Sequence, residues 1–393
     1  MRRGKAAVAV IALLALTLAA CAPSAVPAAS PSPSPTPTST PTPRPTPTPT
    51  RDPVATLSLE QQVGQLFIVG TDVEAPSPLT LDAVASRHIG GVFLHGRSVA
   101  GVDAAAAVAA SFTSLVAPGN VPLWVATDQE GGEVQVLRGV GFDDIPYAIR
   151  QADDPPAVLQ DNATRWGTQL AAAGITLNLA PVADIVTSHE TRFDNPPIGA
   201  LGRQYGYDLA TVAANAGAFA NGMRAAGVLP TFKHFPGLGH VSANTDHAAE
   251  VYDTTVTADG PDVEVYRALL SQGPALVMLS SAVHTGIDPS APAAFSPVVV
   301  TDTLRGRLGY DGVVMTDDVS AASAMTAFPP ADRALRSLKA GVDVILVSAD
   351  PGVFAEMYDA VLAAARADPA VAERVAESAR RVLVAKEGGV SGG

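Results

Sequence analysis

The chain is short of cysteine, of charge and of aromatic rings. Cys21 is the single Cys among 393 residues, so no intrachain disulfide and no Cys-rich zinc site can form, and stability has to come from packing. Charged residues make up only 16%, and the deficit is basic: 25 Lys and Arg stand against 38 Asp and Glu, a formal net charge of −13. Such a surface repels phosphate backbones, which disfavours a nucleic-acid binder. No apolar run reaches the roughly 20 residues that span a bilayer, no GxGxxG opens a helix after a strand-like run, and no internal repeat is visible. What remains is ample: 47% hydrophobic residues over a length that allows one large domain or two to three small ones.

The N-terminus, MRRGKAAVAVIALLALTLAAC, places Arg2, Arg3 and Lys5 before an apolar stretch from Ala6 to Ala20 that stops at Cys21. This is the pattern of a secretory signal peptide over residues 1–20. Its end, Leu18-Ala19-Ala20-Cys21, resembles a bacterial lipobox, in which the Cys becomes the lipidated first residue after cleavage. An uncleaved anchor or a plain secretory cleavage site is the alternative. Pro alternating with Ser or Thr dominates the stretch that follows, so residues 21–53 are expected to form a lipidated Cys and an extended, polyproline-like spacer. At about 3.1 Å per residue it could hold a domain up to roughly 100 Å from a membrane. The expected location is extracytoplasmic, on the cell membrane.

From Val54 to the C-terminus, residues 54–393, β-branched runs alternate with Ala- and Leu-rich helical stretches, the pattern of a parallel α/β fold. Eight strand-like runs are visible: 65–70, 91–95, 122–127, 176–180, 228–233, 275–280, 312–316 and 342–347. Helical stretches fall at 104–115, 161–173, 209–226, 263–271, 332–340 and 353–365. Eight strands with interleaved helices predict a (β/α)8 TIM barrel as a single domain, with a doubly wound sheet as the alternative. Polar residues follow the apolar runs where such a barrel keeps its active site: Asp128, Lys233-His234, Ser280-Ser281 and Asp317-Asp318. For Asp318 and Ser281 taken singly, helix capping is the simpler expectation.

Three segments carry chemistry: TDQEGGEVQ (127–135), TFKHFPGLGHVSANTDH (231–247) and GYDGVVMTDDVS (309–320). Together they resemble the catalytic barrel domain of glycoside hydrolase family 3, in particular its single-domain bacterial β-N-acetylhexosaminidases. The resemblance extends over LSLEQQVGQLFIVGT, AGITLNLAPVADI and AGVDVILVSAD, from about Leu57 to Ala349. It implies a retaining hydrolase without cofactor or metal. Asp317 would attack the anomeric carbon, as an ionised carboxylate beside developing positive charge. Asp128, Lys233 and His234 would bind sugar hydroxyls through charge-assisted hydrogen bonds, and Gly131-Gly132 would bring backbone close to the ligand. Arg203, in NPPIGALGRQYG, matches a further sugar-binding position.

Two departures from the family pattern stand out. Where the hexosaminidases carry Asp-Ser-His, with the His as acid/base, this chain reads Asn244-Thr245-Asp246, followed by His247. The acid/base is taken as Asp246, with His247 or loss of the dyad as alternatives; a carboxylic acid there would need a raised pKa. After EGG, Glu133 and Val136 replace the family's Arg positions, with Arg138 two residues on. The expected substrate is a terminal β-linked N-acetylhexosamine of cell-wall fragments or other glycans. A β-glucosidase-like specificity and a non-catalytic glycan-binding lipoprotein are the rivals. A metal hydrolase is disfavoured: His95, His234, His240, His247 and His284 lie near strand ends, but no His-x-His follows the first strand. The partners implied are a carbohydrate and, through Cys21, the membrane; no obligate protein partner is inferred.

Overall fold

Alternation along eight short runs builds the fold. In this computed structural model, which describes residues 52–388, the runs form β1 (Phe67–Asp72), β2 (Gly91–His95), β3 (Trp124–Thr127), β4 (Leu177–Asn178), β5 (Leu229–Phe235), β6 (Leu276–Leu279), β7 (Val314–Asp318) and β8 (Val344–Val347). Each pairs in parallel with its sequence neighbours, and β1 closes on β8. The result is the (β/α)8 TIM barrel, not the doubly wound sheet.

Successive residues of a strand face opposite sides. Ile68, Phe93, Ala126, Leu177, Leu229, Leu276, Met278, Met315, Val344 and Leu346 form one buried cluster that fills the barrel, while Phe67, Val69, Val125, Phe232, Val277, Val314 and Ile345 pack outward into the larger core. Each fully buried side chain of this size stabilises the fold by about 1.5–3 kcal/mol.

The outer ring is α2 (Pro78–Arg87), α3 (Val102–Thr113), α4 (Pro156–Ala172), α5 (Leu209–Ala225), α6 (Pro261–Leu270), a π-helical segment (Val298–Arg307), α7 (Pro330–Ala340) and α8 (Phe354–Ala367). Several begin earlier than their apolar periodicity suggests, because Pro156, Pro261 and Pro330 each take the first helical position, where a missing N–H costs nothing. The sequence reading missed α1 (Leu59–Gln65), α2, the π-helical segment and α9 (Pro369–Glu387). The segment 298–307 opens with three Val and reads as no clear helix, and α9 lies beyond the eighth strand. At the N-terminal end of the barrel Lys386 of α9 donates to Gln65 Oε1 of α1 (2.8 Å) and to the Gly90 carbonyl (2.7 Å), with its ammonium over the Trp124 ring.

Folded structure is already present at Asp52. Its side chain caps a short 3₁₀ turn (Pro53–Thr56) and pairs with Arg380 at 2.7 Å, so these residues belong to the fold although they read as the end of the spacer. The expected signal peptide, Cys21 and the rest of the expected spacer lie outside the described residues. Among the described residues no helix is long and apolar enough to cross a membrane.

Candidate active site

Period two places the site. Continuing the inward register by two residues from Ala126 reaches Asp128, from Met315 it reaches Asp317, and by four from Leu229 it reaches Lys233. All three therefore arrive at the C-terminal mouth of the barrel. Both chemistry-bearing strands are irregular there. Between β7 and β8, Met315 opposes Val344 while Asp318 opposes Leu346, and between β5 and β6, Phe232 opposes Val277 while Phe235 opposes Leu279. Each irregularity leaves an extra residue around Asp317 and Lys233-His234, the kind of local kink that re-aims side chains beside active sites.

A buried ion-pair cluster joins three of the expected residues to one the sequence reading missed. Lys233 Nζ donates to Asp128 Oδ1 and to Glu130 Oε1, both at 2.7 Å. Arg203 meets Glu130 in a two-pronged pair, Nη2 to Oε1 at 2.7 Å and Nε to Oε2 at 2.9 Å, and donates through Nη1 to the Pro197 carbonyl. Burial works against the Glu130 charge, but Arg203 and Lys233 overcome it and hold the carboxyl at about 2. Asp128 keeps 27% side-chain exposure against 4–5% for Lys233 and Glu130, so it is the most accessible of the three. Glu130 was legible only as the Glu of DQEGG. Glu130→Gln is expected to cost about 3–5 kcal/mol, because it leaves two buried cations short of a counter-charge; thermal unfolding measures this, and a shift under about 1 kcal/mol would show that the cluster does not depend on it.

His234 is oriented from behind. Its Nδ1 lies 2.8 Å from Asp184 Oδ2, and Asp184 Oδ1 accepts from the backbone N–H groups of His234 and Leu238. Burial would raise the Asp184 carboxyl, but His234 and these donors bring it below the usual range. Asp184, in the run APVADI, is the second residue the sequence reading passed over; an acid inside an apolar run after a strand was the available signal.

Asp317 is half-buried, and its Oδ1 accepts from the Asp318 N–H at 2.8 Å. Burial pushes its carboxyl up to about 6; the His234 ring and the Lys233 ammonium pull it down, and the Asp246 charge pushes it up. Asp246 thus stands within electrostatic reach of Asp317. It sits on an exposed turn, next to an exposed His247 whose side chain makes no hydrogen bond among the described residues and is not among the main groups acting on Asp317.

Other expected roles change. Asp318 does not cap a helix: its Oδ1 accepts from the N–H groups of Ser320 and Ser348, holding the β7 loop to the end of β8. Ser281 Oγ is buried and has no hydrogen-bond partner among the described residues, so it caps no helix there. Arg138 turns away from the cluster to Asp144 and the Gly132 carbonyl, Glu133 accepts from the Tyr147 hydroxyl, and Val136 is buried. Gly131 and Gly132 have positive φ, and a Cβ there would meet the Pro146 carbonyl and the Tyr147 ring. The close approach they permit is thus to their own loop. Of the five histidines expected near strand ends, His240 bonds Thr187 and Asp262, and His284 bonds the Gly237 carbonyl; among the described residues no group of three or more His, Cys, Asp or Glu is placed to hold a metal.

Paired acids, a cationic cluster and an open barrel mouth suit the binding and protonation of a polyhydroxylated substrate, and comparison with known proteins agrees. Residues 58–385 match the family described as Glycosyl hydrolase family 3 N terminal domain. The beta-hexosaminidase LpqI of Mycobacterium tuberculosis is 34% identical over 301 residues, 74% of each chain. Among solved structures, the beta-N-acetylhexosaminidase of Beutenbergia cavernae shares 57% identity with a TM-score of 0.83, covering 84% of this chain and 99% of that one. A family 3 beta-N-acetylglucosaminidase from Paenibacillus sp. shares 31% with a TM-score of 0.76, covering 86% and 64%. The chain belongs to glycoside hydrolase family 3 and is a glycoside hydrolase.

Proposed function

We propose that this hydrolase removes terminal β-linked N-acetylhexosamine from cell-wall fragments or other glycans, with net retention. Asp317 attacks the anomeric carbon and forms a glycosyl ester as the glycosidic C–O bond breaks, and Asp246, ionised in the free enzyme and protonated from solvent in the complex with bound sugar, gives that proton to the departing oxygen. Asp246 then takes a proton from water, which attacks the same carbon and releases Asp317. Asp128, Lys233, His234 and Arg203 hold the sugar, directly or through the Glu130 pair. The observation that carries this reading is the convergence of Asp128, Lys233 and Asp317 on one mouth by strand register, with Asp246 close enough to act on Asp317. The choice of sugar rests on the hexosaminidase relatives. The signal-peptide-like N-terminus and Cys21 support a location outside the cytoplasm on a lipid anchor, with the Pro-rich stretch as tether.

Hydrolysis of 4-nitrophenyl β-N-acetylglucosaminide beside the β-glucoside tests the sugar; faster release from the glucoside would favour the β-glucosidase rival. A 5-fluoro N-acetylglucosaminyl fluoride, whose intermediate turns over slowly, should leave its sugar esterified to the peptide carrying Asp317. Labelling elsewhere would reassign the nucleophile. Attack requires ionised Asp317, so kcat/KM for the aryl substrate is expected to fall about tenfold per pH unit below a break near 6. A break near the ordinary carboxyl value, about 4, would contradict the burial found for this group.

A further inference from the structure

Asp246 lies on an exposed turn, yet the turn is fixed. Asn244 Oδ1 accepts from the Asp246 N–H (2.9 Å), and the Asn244 carbonyl accepts from the N–H groups of His247 and Ala248. Across from it runs the loop that follows β7. Ser323 Oγ donates to the Asp246 carbonyl at 2.9 Å, Ser323 N to the same oxygen at 3.3 Å, and Ala324 N to the Thr245 carbonyl at 3.1 Å. That loop is itself braced. Asp318 Oδ1 accepts from the backbone and hydroxyl of Ser320 and from Ser348 N, and buried Arg333 donates to the carbonyls of Val319 (2.8 Å) and Ser320 (2.7 Å). A short braced segment therefore runs from Asp317 to the backbone of Asp246, so the two carboxylates are registered to each other through the β7 loop.

We propose that Ser323 is a positioning residue, whose hydroxyl holds the Asp246 main chain and so sets where the Asp246 carboxyl stands relative to Asp317 and the leaving group. The proposal rests on Asp246 as the proton donor. Misplacing a catalytic group by an ångström is enough to cost orders of magnitude, and the cost falls on substrates whose leaving groups need a proton. Ser323 touches neither carboxyl, so its effect runs through position alone.

The test compares Ser323→Ala and Ser323→Thr in the full chain, with N,N′-diacetylchitobiose as the poor leaving group and the 4-nitrophenyl glycoside as the good one. Ser323→Ala should lower kcat/KM for the disaccharide roughly ten- to hundredfold while changing it less than about twofold for the aryl glycoside. Ser323→Thr, which keeps the hydroxyl, should restore both. The acid break of the aryl profile should also move down in Ser323→Ala. The groups facing Asp317 are His234, Lys233, Asp246 and the Asp318 N–H, and of these only Asp246 pushes its carboxyl up. Equal loss on both substrates, no loss on either, or failure of the Thr variant to restore activity would overturn the positioning role. Asp246→Asn separates the two levels: if it is selective and Ser323→Ala is not, the positioning role alone falls, whereas an unselective Asp246→Asn removes the donor assignment and the Ser323 proposal with it.

Discussion

Asp317→Ala is expected to lower kcat at least about 10⁴-fold on every substrate, including aryl glycosides that need no proton, because it removes the atom that forms the covalent bond. The barrel should survive. Asp317 sits half-buried at the open mouth, its hydrogen bond to Asp318 N is local, and the substitution opens no closed cavity. A companion, Asp317→Asn, makes the same prediction for activity and adds one for stability. With its pKa raised from 3.8 to about 6 by burial and by Asp246, native Asp317 binds more protons than the unfolded chain between these values, so its ionisation disfavours the fold progressively as pH rises through that window. Asn abolishes this penalty. Its melting temperature should exceed that of wild type at pH 7, by an amount worth at most about 3 kcal/mol, and the gain should fade towards pH 4. Calorimetry across that range, beside the turnover assay, separates a strained reactive carboxylate from a structural one. An inactive variant with no stability gain would mean that Asp317 is not held against its charge. Retained turnover would remove it from the reaction.

How far this site could be read in advance differs from element to element. The eight strands stand out as short, largely apolar runs, four of which end in or run directly into the polar residues Asp128, Lys233-His234, Ser280-Ser281 and Asp317-Asp318, and Asp128, Lys233 and Asp317 follow from period two once the runs are accepted as inward-alternating. Helix starts were less legible, since the periodicity that marks a helix begins only where its apolar face meets the sheet, up to five residues after the Pro that opens it, as at Pro156. Glu130 and Asp184 were hidden for a different reason. Each acts on another side chain, Glu130 on Arg203 and Lys233, Asp184 on His234, and these partners are 73, 103 and 50 residues away in sequence. Spacing within a motif carries no trace of them. The β7 loop was invisible likewise, because its contacts with the 244–246 turn are to main-chain carbonyls, which any residue supplies.

Asp246→Asn should separate substrates by their leaving groups. For N,N′-diacetylchitobiose, whose departing alkoxide must be protonated, kcat/KM is expected to fall roughly 10²–10⁴-fold; for the 4-nitrophenyl glycoside, whose phenolate leaves unaided, it should hold within about fivefold. The second half of the cycle adds a further mark. Water attacking the glycosyl ester needs the same carboxylate as a base, so kcat for the aryl substrate should drop even where kcat/KM does not, and azide, which needs no base, should restore it and yield a glycosyl azide of retained configuration. The aryl acid break should move below 6 as well, since the Asp246 charge that helps to raise Asp317 is gone. His247→Ala is the counterpart. Its ring forms no hydrogen bond among the described residues and is not among the main groups acting on Asp317, so both substrates should be turned over at near wild-type rates. The reverse pattern, selective loss with azide rescue in His247→Ala and none in Asp246→Asn, would move proton transfer to the histidine one residue on.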